Sequence, residues 1–208
     1  MALDRETVVR TALRVLDEVG LDGLTLRKLA SALGVQAPAL YWHFKNKQAL
    51  LDEMATTVIM DSIGELTLLD MDGTWGEWAV AYGKMTRKML LRYRDGAKVF
   101  SGTYLTDSAL YAPMEAALRK FTAAGFSLEE TIRGLSTLYC YTVGFTIEEQ
   151  AVYPRPGERN EQYDLAKRAE RIDGEKFPLA LAVGEQVLTN FDERFEQGLQ
   201  VIIRGLRP

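Results

Sequence analysis

The 208-residue chain contains one histidine, His43, and one cysteine, Cys140. Nucleophilic triads, zinc centres and Cys-His pairs need an imidazole or thiol beside partners of the right type. Beyond residue 43 no histidine is available to supply one. G-x-S-x-G, a phosphate-cradling glycine loop and C-x-x-C are all absent. The carboxylate pairs Glu129-Glu130 and Glu148-Glu149 are neighbours in sequence, so on a helix they diverge. They are expected to cap helices or lie on solvated faces. Catalysis has little to build on, and the chain is read as not an enzyme, with no cofactor and no metal site.

The histidine sits inside the most informative stretch, residues 25–47, which reads as two short helices around a tight break. Thr25 is suited to accept from an orphan amide at a helix start. Leu26, Leu29, Ala30 and Leu33 then recur at helical spacing. Gly34 follows where a left-handed closing residue is wanted, and Pro38 fits the first turn of a second helix. Val35, Leu40 and Phe44 can face inward, leaving Gln36, Ala37, Ala39, Tyr41, His43 and Lys47 free. Helix, glycine turn, helix is the DNA-reading helix-turn-helix pattern. Trp42 is expected in the core and Tyr41 outside it, while Lys28 and Lys45 are read as solvated charges.

The surrounding chain must position that unit. Helices are expected from about Asp4 to Val19, closed by Gly20; from Asn46 along Leu50, Leu51, Met54, Ala55, Val58, Ile59 and Ile63; and from Trp75 to Arg92. A short piece follows at Arg94 to Gly102, then a helix between Thr106 and Ala124 that Pro113 kinks or delays. Ser127-Leu-Glu-Glu130 is a capping box opening a long helix to about Ala151. Leu68 to Thr74 reads as a loop. Val152 to Phe177 reads as a mobile connection with at most one short helix, near Tyr163 to Arg171. Two helices, about Pro178 to Leu188 and Phe191 to Leu206, end the pattern. No strand pattern or repeat appears, so the fold class is all-α: a three-helix helix-turn-helix domain over 1–46 and a helical domain over 47–208. The helix from about residue 47 connects the two.

Apolar residues make up 47% and charged residues 26%, ordinary values for a globular protein. No apolar run is long enough to span a membrane, and Met-Ala-Leu-Asp-Arg-Glu lacks a signal-peptide pattern. With one cysteine, a reducing cytoplasm is the expected location. The net charge of −4 hides an asymmetry: residues 1 to 50 carry seven Lys or Arg against five Asp or Glu. A basic head on an acidic body suits DNA binding by the head alone.

The run Leu-Tyr-Trp-His-Phe-Lys-Asn-Lys, after Leu-Gly-Val and before Ala-Leu-Leu, resembles the DNA-binding domain of the tetracycline-repressor (TetR) family. Arg94-Asp-Gly-Ala-Lys-Val99, Gly102-Thr103 and Gly125-Phe-Ser-Leu-Glu129 resemble the tetracycline-repressor class itself. The resemblance implies that Arg27 reads a base edge and that Gln36, Ala37, Pro38 and Ala39 lie against bases. It places Tyr41, His43 and Lys47 on phosphates, with Leu26 nearby. A bidentate arginine gives about 1–3 kcal/mol of discrimination, whereas phosphate contacts only position.

For the body, Tyr82, Met85, Met89, Phe100, Tyr104, Met114, Tyr139 and Phe145 are candidate pocket residues, each equally able to be ordinary core. The resemblance implies a small-molecule effector touching Ile63, Tyr82, Thr86, Phe100, Thr103, Ala117, Cys140 and Glu148. Of these, Thr103 and Glu148 keep the tetracycline repressor's residue type. Its metal-binding histidine is Phe100 here, and two further pocket histidines are Ile63 and Cys140. An aromatic, largely apolar, metal-independent ligand is therefore expected.

The last helix carries Phe191, Phe195, Leu199, Ile202 and Leu206 on one stripe, with Gly198 and Gly205 on another. A homodimer is expected, its glycine face against the partner and the long helix after Ser127 completing a four-helix contact. Such a dimer reads a two-fold operator on double-stranded DNA. The leading expectation is a ligand-released repressor. The alternatives are a DNA-tethered enzyme, revealed by turnover, and a ligand-independent architectural protein, revealed by sequence-independent bending.

Overall fold

The computed structural model describes residues 3–67, 73–104 and 107–208. Local chemistry sets most helix ends. Helix α1 (Arg5–Gly23) starts where the Asp4 carboxylate accepts the Thr7 N–H at 2.7 Å. It does not stop at Gly20 as expected but kinks there, at φ 74° and ψ 175°, and continues. Helix α2 (Leu26–Leu33) opens on the Thr25 hydroxyl, which accepts from Lys28 N–H at 3.2 Å, and closes on left-handed Gly34.

The second reading element is a 3-10 helix, Ala37–Trp42, with Pro38 in its first turn. Helix α3 (Lys47–Thr67) begins with Asn46 Oδ1 accepting from Ala49 N–H at 2.8 Å. Helix α4 (Trp75–Leu90) carries a Thr74/Glu77 capping box, α5 is short (Gly96–Phe100), and α6 spans Tyr111–Ala123 after a 3-10 turn at Ser108–Leu110. Pro113 thus falls in the first turn of α6, where its missing N–H costs nothing. Helix α7 (Leu128–Val152) has the expected Ser127/Glu130 capping box. Helices α8 (Leu165–Glu170), α9 (Pro178–Leu188) and α10 (Phe191–Gly205) follow. Among the described residues there is no strand beyond a lone bridge between Arg155 and Glu158. The expected loop at 68–74 and the helix start at Thr106 fall largely outside the described residues.

Two apolar cores organise the helices. One joins Val9, Leu13 and Leu16 of α1 to Leu29, Leu40, Phe44, Leu50 and Met54. It continues along α3 through Val58 and Ile59 to Met89, Leu90, Phe100 and Val143. No flexible linker separates reading head and body: α3 belongs to both. The second core gathers Trp78, Phe121, Phe126, Leu138, Phe195 and Leu199, where α10 lies on α4 and α7. Trp78, Phe121 and Phe126 meet edge-on or tilted at 5.5–5.9 Å, the arrangement ring quadrupoles favour.

Two expectations about the second half are corrected. Residues 152–177 hold their one short α-helix near the expected place, but they are not a loose connection. Asn160 N–H reaches Val152 O at 2.8 Å, Arg159 Nη2 reaches Leu188 O at 2.8 Å, and Arg168 Nη2 reaches Ala180 O at 2.6 Å. Side-chain to carbonyl bonds leave no apolar period in the sequence, which is why the segment read as unattached. Gly198 does not present a small face to a partner: a Cβ there would lie 2.0 Å from Tyr141 Oη. Its close approach is to α7 of its own chain, and the Tyr141 hydroxyl donates to Phe195 O at 3.0 Å beside it. Gly205, by contrast, faces open space.

Candidate DNA-reading surface and effector pocket

The helix-turn-helix presents a continuous face. Arg27, Gln36 and Pro38 are exposed, and Ala37, Ala39, His43 and Leu26 are half-buried beside them. Tyr41 is 58% exposed and Trp42 is 90% exposed. Trp42 therefore does not belong to the core. The anchors are Leu40 and Phe44, four residues apart, and Trp42, two residues on from Leu40 in this 3-10 helix, stands about 240° around from it, off the inward side.

The end of this element is held by Arg5. Its guanidinium donates to His43 O at 2.7 Å and to Glu53 at 2.8 Å and lies 4.4 Å over the Phe44 ring. Lys47 is exposed, and its Nζ donates to Leu21 O at 3.2 Å. Lys28 and Lys45 are exposed, as expected.

The body's candidates divide into groups. Tyr82 stacks on Trp78 at 5.1 Å and 9° on α4, with Thr86 buried one turn on. Burial pushes the Tyr82 phenol above its ordinary pKa, against a hydrogen bond with Thr86, and the nearby Tyr139 pushes it the same way. Ala117 is buried on α6 in that core, and Met85 is half-buried on α4. Met89 and Phe100 lie in the head–body core. Half-buried Thr103 donates its hydroxyl to Phe100 O at 2.9 Å, and Ile63 is half-buried on α3. Phe145 is enclosed by Tyr141, Phe191 and Phe195 at 5.2–5.9 Å. Tyr104, Met114, Tyr139, Cys140 and Glu148 are on the surface of the chain. No group of three His, Cys, Asp or Glu side chains among the described residues is placed to hold a metal ion.

A cavity of about 550 Å³ opens elsewhere, between the ends of α4 and α7, residues 153–157 and the start of α10. None of the candidate pocket residues lines it. Its wall holds an ion pair that the sequence reading missed. Arg87 Nε and Nη2 donate to the two Glu149 oxygens at 2.7 and 2.6 Å, and Nη1 pairs with Asp192 at 2.7 Å. Glu149 is buried, not solvated. The signal was present: Leu138, Thr142, Thr146, Glu149 and Val152 step along one buried face of α7.

Comparison with known proteins matches these two halves to two family models. Residues 8–54 match the bacterial regulatory proteins of the tetR family, and residues 69–208 match the tetracyclin repressor-like C-terminal domain. The tetracycline repressor protein class A from transposon 1721 of Escherichia coli is 40% identical, over 98% of this chain and 90% of that protein. The chain belongs to the TetR family.

A possible TetR-family transcriptional regulator from Streptomyces coelicolor A3(2) superposes with a TM-score of 0.84 at 36% identity, over 98% of both chains. The class A TetR solved with 5a,6-anhydrotetracycline and magnesium gives 0.67 at 35% identity, over 98% of both chains. ActR from Streptomyces coelicolor, a TetR-family protein solved with actinorhodin, gives 0.76 at 26% identity over 99% of this chain and 97% of ActR. The chain is thus a TetR-family transcriptional regulator with a C-terminal ligand-binding domain, and not an enzyme. Of the described residues, no helix is long and apolar enough to cross a membrane.

Proposed function

We propose that the protein is a homodimeric, cytoplasmic repressor that leaves a two-fold operator when a small aromatic ligand binds without a metal. The observation that carries the reading is family membership along nearly the whole chain combined with an exposed Arg27–Trp42 face. In this reading residues 1–46 read DNA and 47–208 bind ligand and partner. Arg27 takes a guanine edge, Gln36 to Ala39 lie against bases, and Tyr41, His43 and Lys47 meet phosphates. Leu128, Ile132 and Tyr139 of α7, with Val201 of α10, are apolar or aromatic and exposed. Those two helices supply the partner face, as a two-fold contact requires.

The effector site lies among Tyr82, Thr86, Met89, Phe100, Thr103 and Glu148. A magnesium chelate needs several polar anchors around the ion and its retained waters, and Glu148 is the one carboxylate in this set. Phe100 is buried at the position expected to offer imidazole, and the body has no histidine. Flat apolar rings suit stacking by Phe100 and Tyr82 instead. ActR shows that this fold is not tied to tetracyclines. Ligand must favour the released state by about 5.5 kcal/mol to move a population from 1:99 to 99:1, and α3, shared by head and body, carries the shift.

The test is selection of bound DNA from a random pool, then release of the selected operator by compounds. Metal-free aromatic ligands are expected to release it and to lose potency in Phe100→Ala. Arg27→Ala should relax one base pair per half-site, while Lys47→Ala should weaken all DNA and flatten the salt dependence. Release by tetracycline that a chelator abolishes would overturn the pocket reading.

A further inference from the structure

The cavity beside the Arg87–Glu149 pair combines an unneutralised cation with a direct contact to the reading head. Leu91, Tyr153, Pro154 and Phe191 give it an apolar wall. Of its two lining arginines, Arg87 is matched by Glu149 and Asp192. Arg155 is not: among the described residues no carboxylate lies within ion-pair distance of it. Arg155 Nη2 donates to the backbone carbonyl of Asp17, and its Nε is buried with no acceptor. A guanidinium offers five N–H donors and never gives up its charge. Half-buried with one neutral acceptor, it is the group in this wall that an anion would satisfy.

We propose that this cavity is a second effector site, for a small organic monocarboxylate with a flat apolar body, and that Arg155 binds the carboxylate. Asp192 and Glu193 stand on the exposed rim and oppose polyanions, which restricts the ligand to a single negative charge. The site is distinct from the aromatic pocket proposed above.

Arg155 also transmits occupancy. Asp17 lies near the end of α1, in the reading head. Its carbonyl holds Arg155, while its carboxylate accepts Arg94 N–H at 3.1 Å. One turn on, Leu21 N–H donates to Asp95 Oδ2 at 3.0 Å. Gln150, in the cavity wall, accepts Ala97 N–H at 3.1 Å and donates to Tyr93 O at 2.8 Å, holding the turn that carries Arg94 and Asp95. A carboxylate is a stronger acceptor than a carbonyl, so a bound monoanion draws Arg155 from Asp17 and loosens the end of α1.

The probe is sodium benzoate, with benzamide as its uncharged counterpart and sodium chloride at equal ionic strength as the salt control. Benzoate should raise Tm with a saturable dose response that benzamide does not give. It should slow amide exchange over 150–157 and speed it at Leu21. Arg155→Met should abolish all three effects, and Arg155→Lys, which keeps the charge but not the fork, should retain part of the Tm rise. Equal stabilisation by benzamide, an undiminished response in Arg155→Met, or protection around Tyr82 and Phe100 instead would overturn the assignment. Should Arg155→Met fail to fold, the exchange map of the unaltered chain decides alone. None of these readouts involves DNA, so they stand or fall separately from the repressor reading.

Discussion

Glu149→Ala removes one partner of the most buried ion pair among the described residues. Arg87 and Glu149 are joined by two charge-assisted bonds, with side chains 12% and 11% exposed. The Arg87 guanidinium also lies 5.2 Å from the Phe195 ring centre and 5.9 Å from that of Phe145. Burial works against its charge, yet the pairs with Glu149 and Asp192 prevail and hold its pKa above the ordinary value. A guanidinium does not deprotonate in proteins, so Arg87 stays charged when Glu149 is removed.

Removing one partner of a buried pair costs about 3–5 kcal/mol. Asp192 remains, but it is 95% exposed, and so hydrated a bridge offsets about 1 kcal/mol at most. The net loss is about 2–4 kcal/mol, and for a chain of this size about 3 kcal/mol lowers Tm by about 6–12 °C. The assay is thermal unfolding by far-ultraviolet circular dichroism at one fixed protein concentration, since any dimer makes Tm concentration-dependent. Arg87→Met with Glu149→Leu together should recover most of the loss, because apolar replacements of a buried pair are often neutral or better. An unchanged Tm in the single variant, or a double variant as unstable as the single, would refute the argument.

Gly20→Ala should cost about 1–3 kcal/mol in denaturant unfolding, because φ 74° with ψ 175° is a glycine region and a Cβ there would sit 2.7 Å from Asp95 Oδ2. Gly198→Ala should destabilise the subunit itself through Tyr141, whereas Ile132→Glu should leave melting of the subunit intact and weaken self-association in sedimentation. The opposite pattern would put Gly198 back at a partner interface. Asp95→Asn should flatten the acid limb of stability. Burial alone would raise the Asp95 pKa, but Lys98, Leu21 N–H and Arg94 together hold it below the ordinary 3.8. A depressed carboxylate stabilises above its unfolded pKa and loses that contribution as pH falls through the folded value. An unaltered acid limb in Asp95→Asn would show that other carboxylates set it.

Elements with short-range causes were legible in the sequence. Asp4, Thr25, Asn46 and Ser127 each accept a backbone N–H three residues on, a bond fixed by local geometry alone. The apolar stripe of α3 and the two closing helices follow from period in the same way. Trp42 was misassigned because its type outweighed its spacing: Leu40 and Phe44 already defined the inward side, and a tryptophan two residues on had no place there. Glu149 was misassigned for the reverse reason. Its spacing was right for burial and its charge argued against it, while the partner that reverses the argument lies 62 residues away.

Head and body meet through two kinds of contact, and the difference bears on how an angle between them can change. Along α3, past a polar end where Arg92 donates to Ser62 Oγ at 3.0 Å and to Glu65 at 2.8 Å, the contact is apolar, with Val58 and Ile59 in one core with Met89 and Leu90. Such packing is non-directional and opposes separation more than small rotation. At the end of α1 the contact is polar and directional: Arg94 N–H on Asp17, Leu21 N–H on Asp95 and Arg155 on the Asp17 carbonyl. Each bond has a charged partner and contributes about 1.5–3 kcal/mol net, so the three together hold the angle with about 4.5–9 kcal/mol. That range brackets the roughly 5.5 kcal/mol of differential affinity a switching ligand must supply. A ligand that breaks part of the seam can therefore shift the angle without disturbing the apolar joint. The joint keeps head and body together while the polar seam decides where the head points, and substitutions that tune the response belong in the seam rather than in the core.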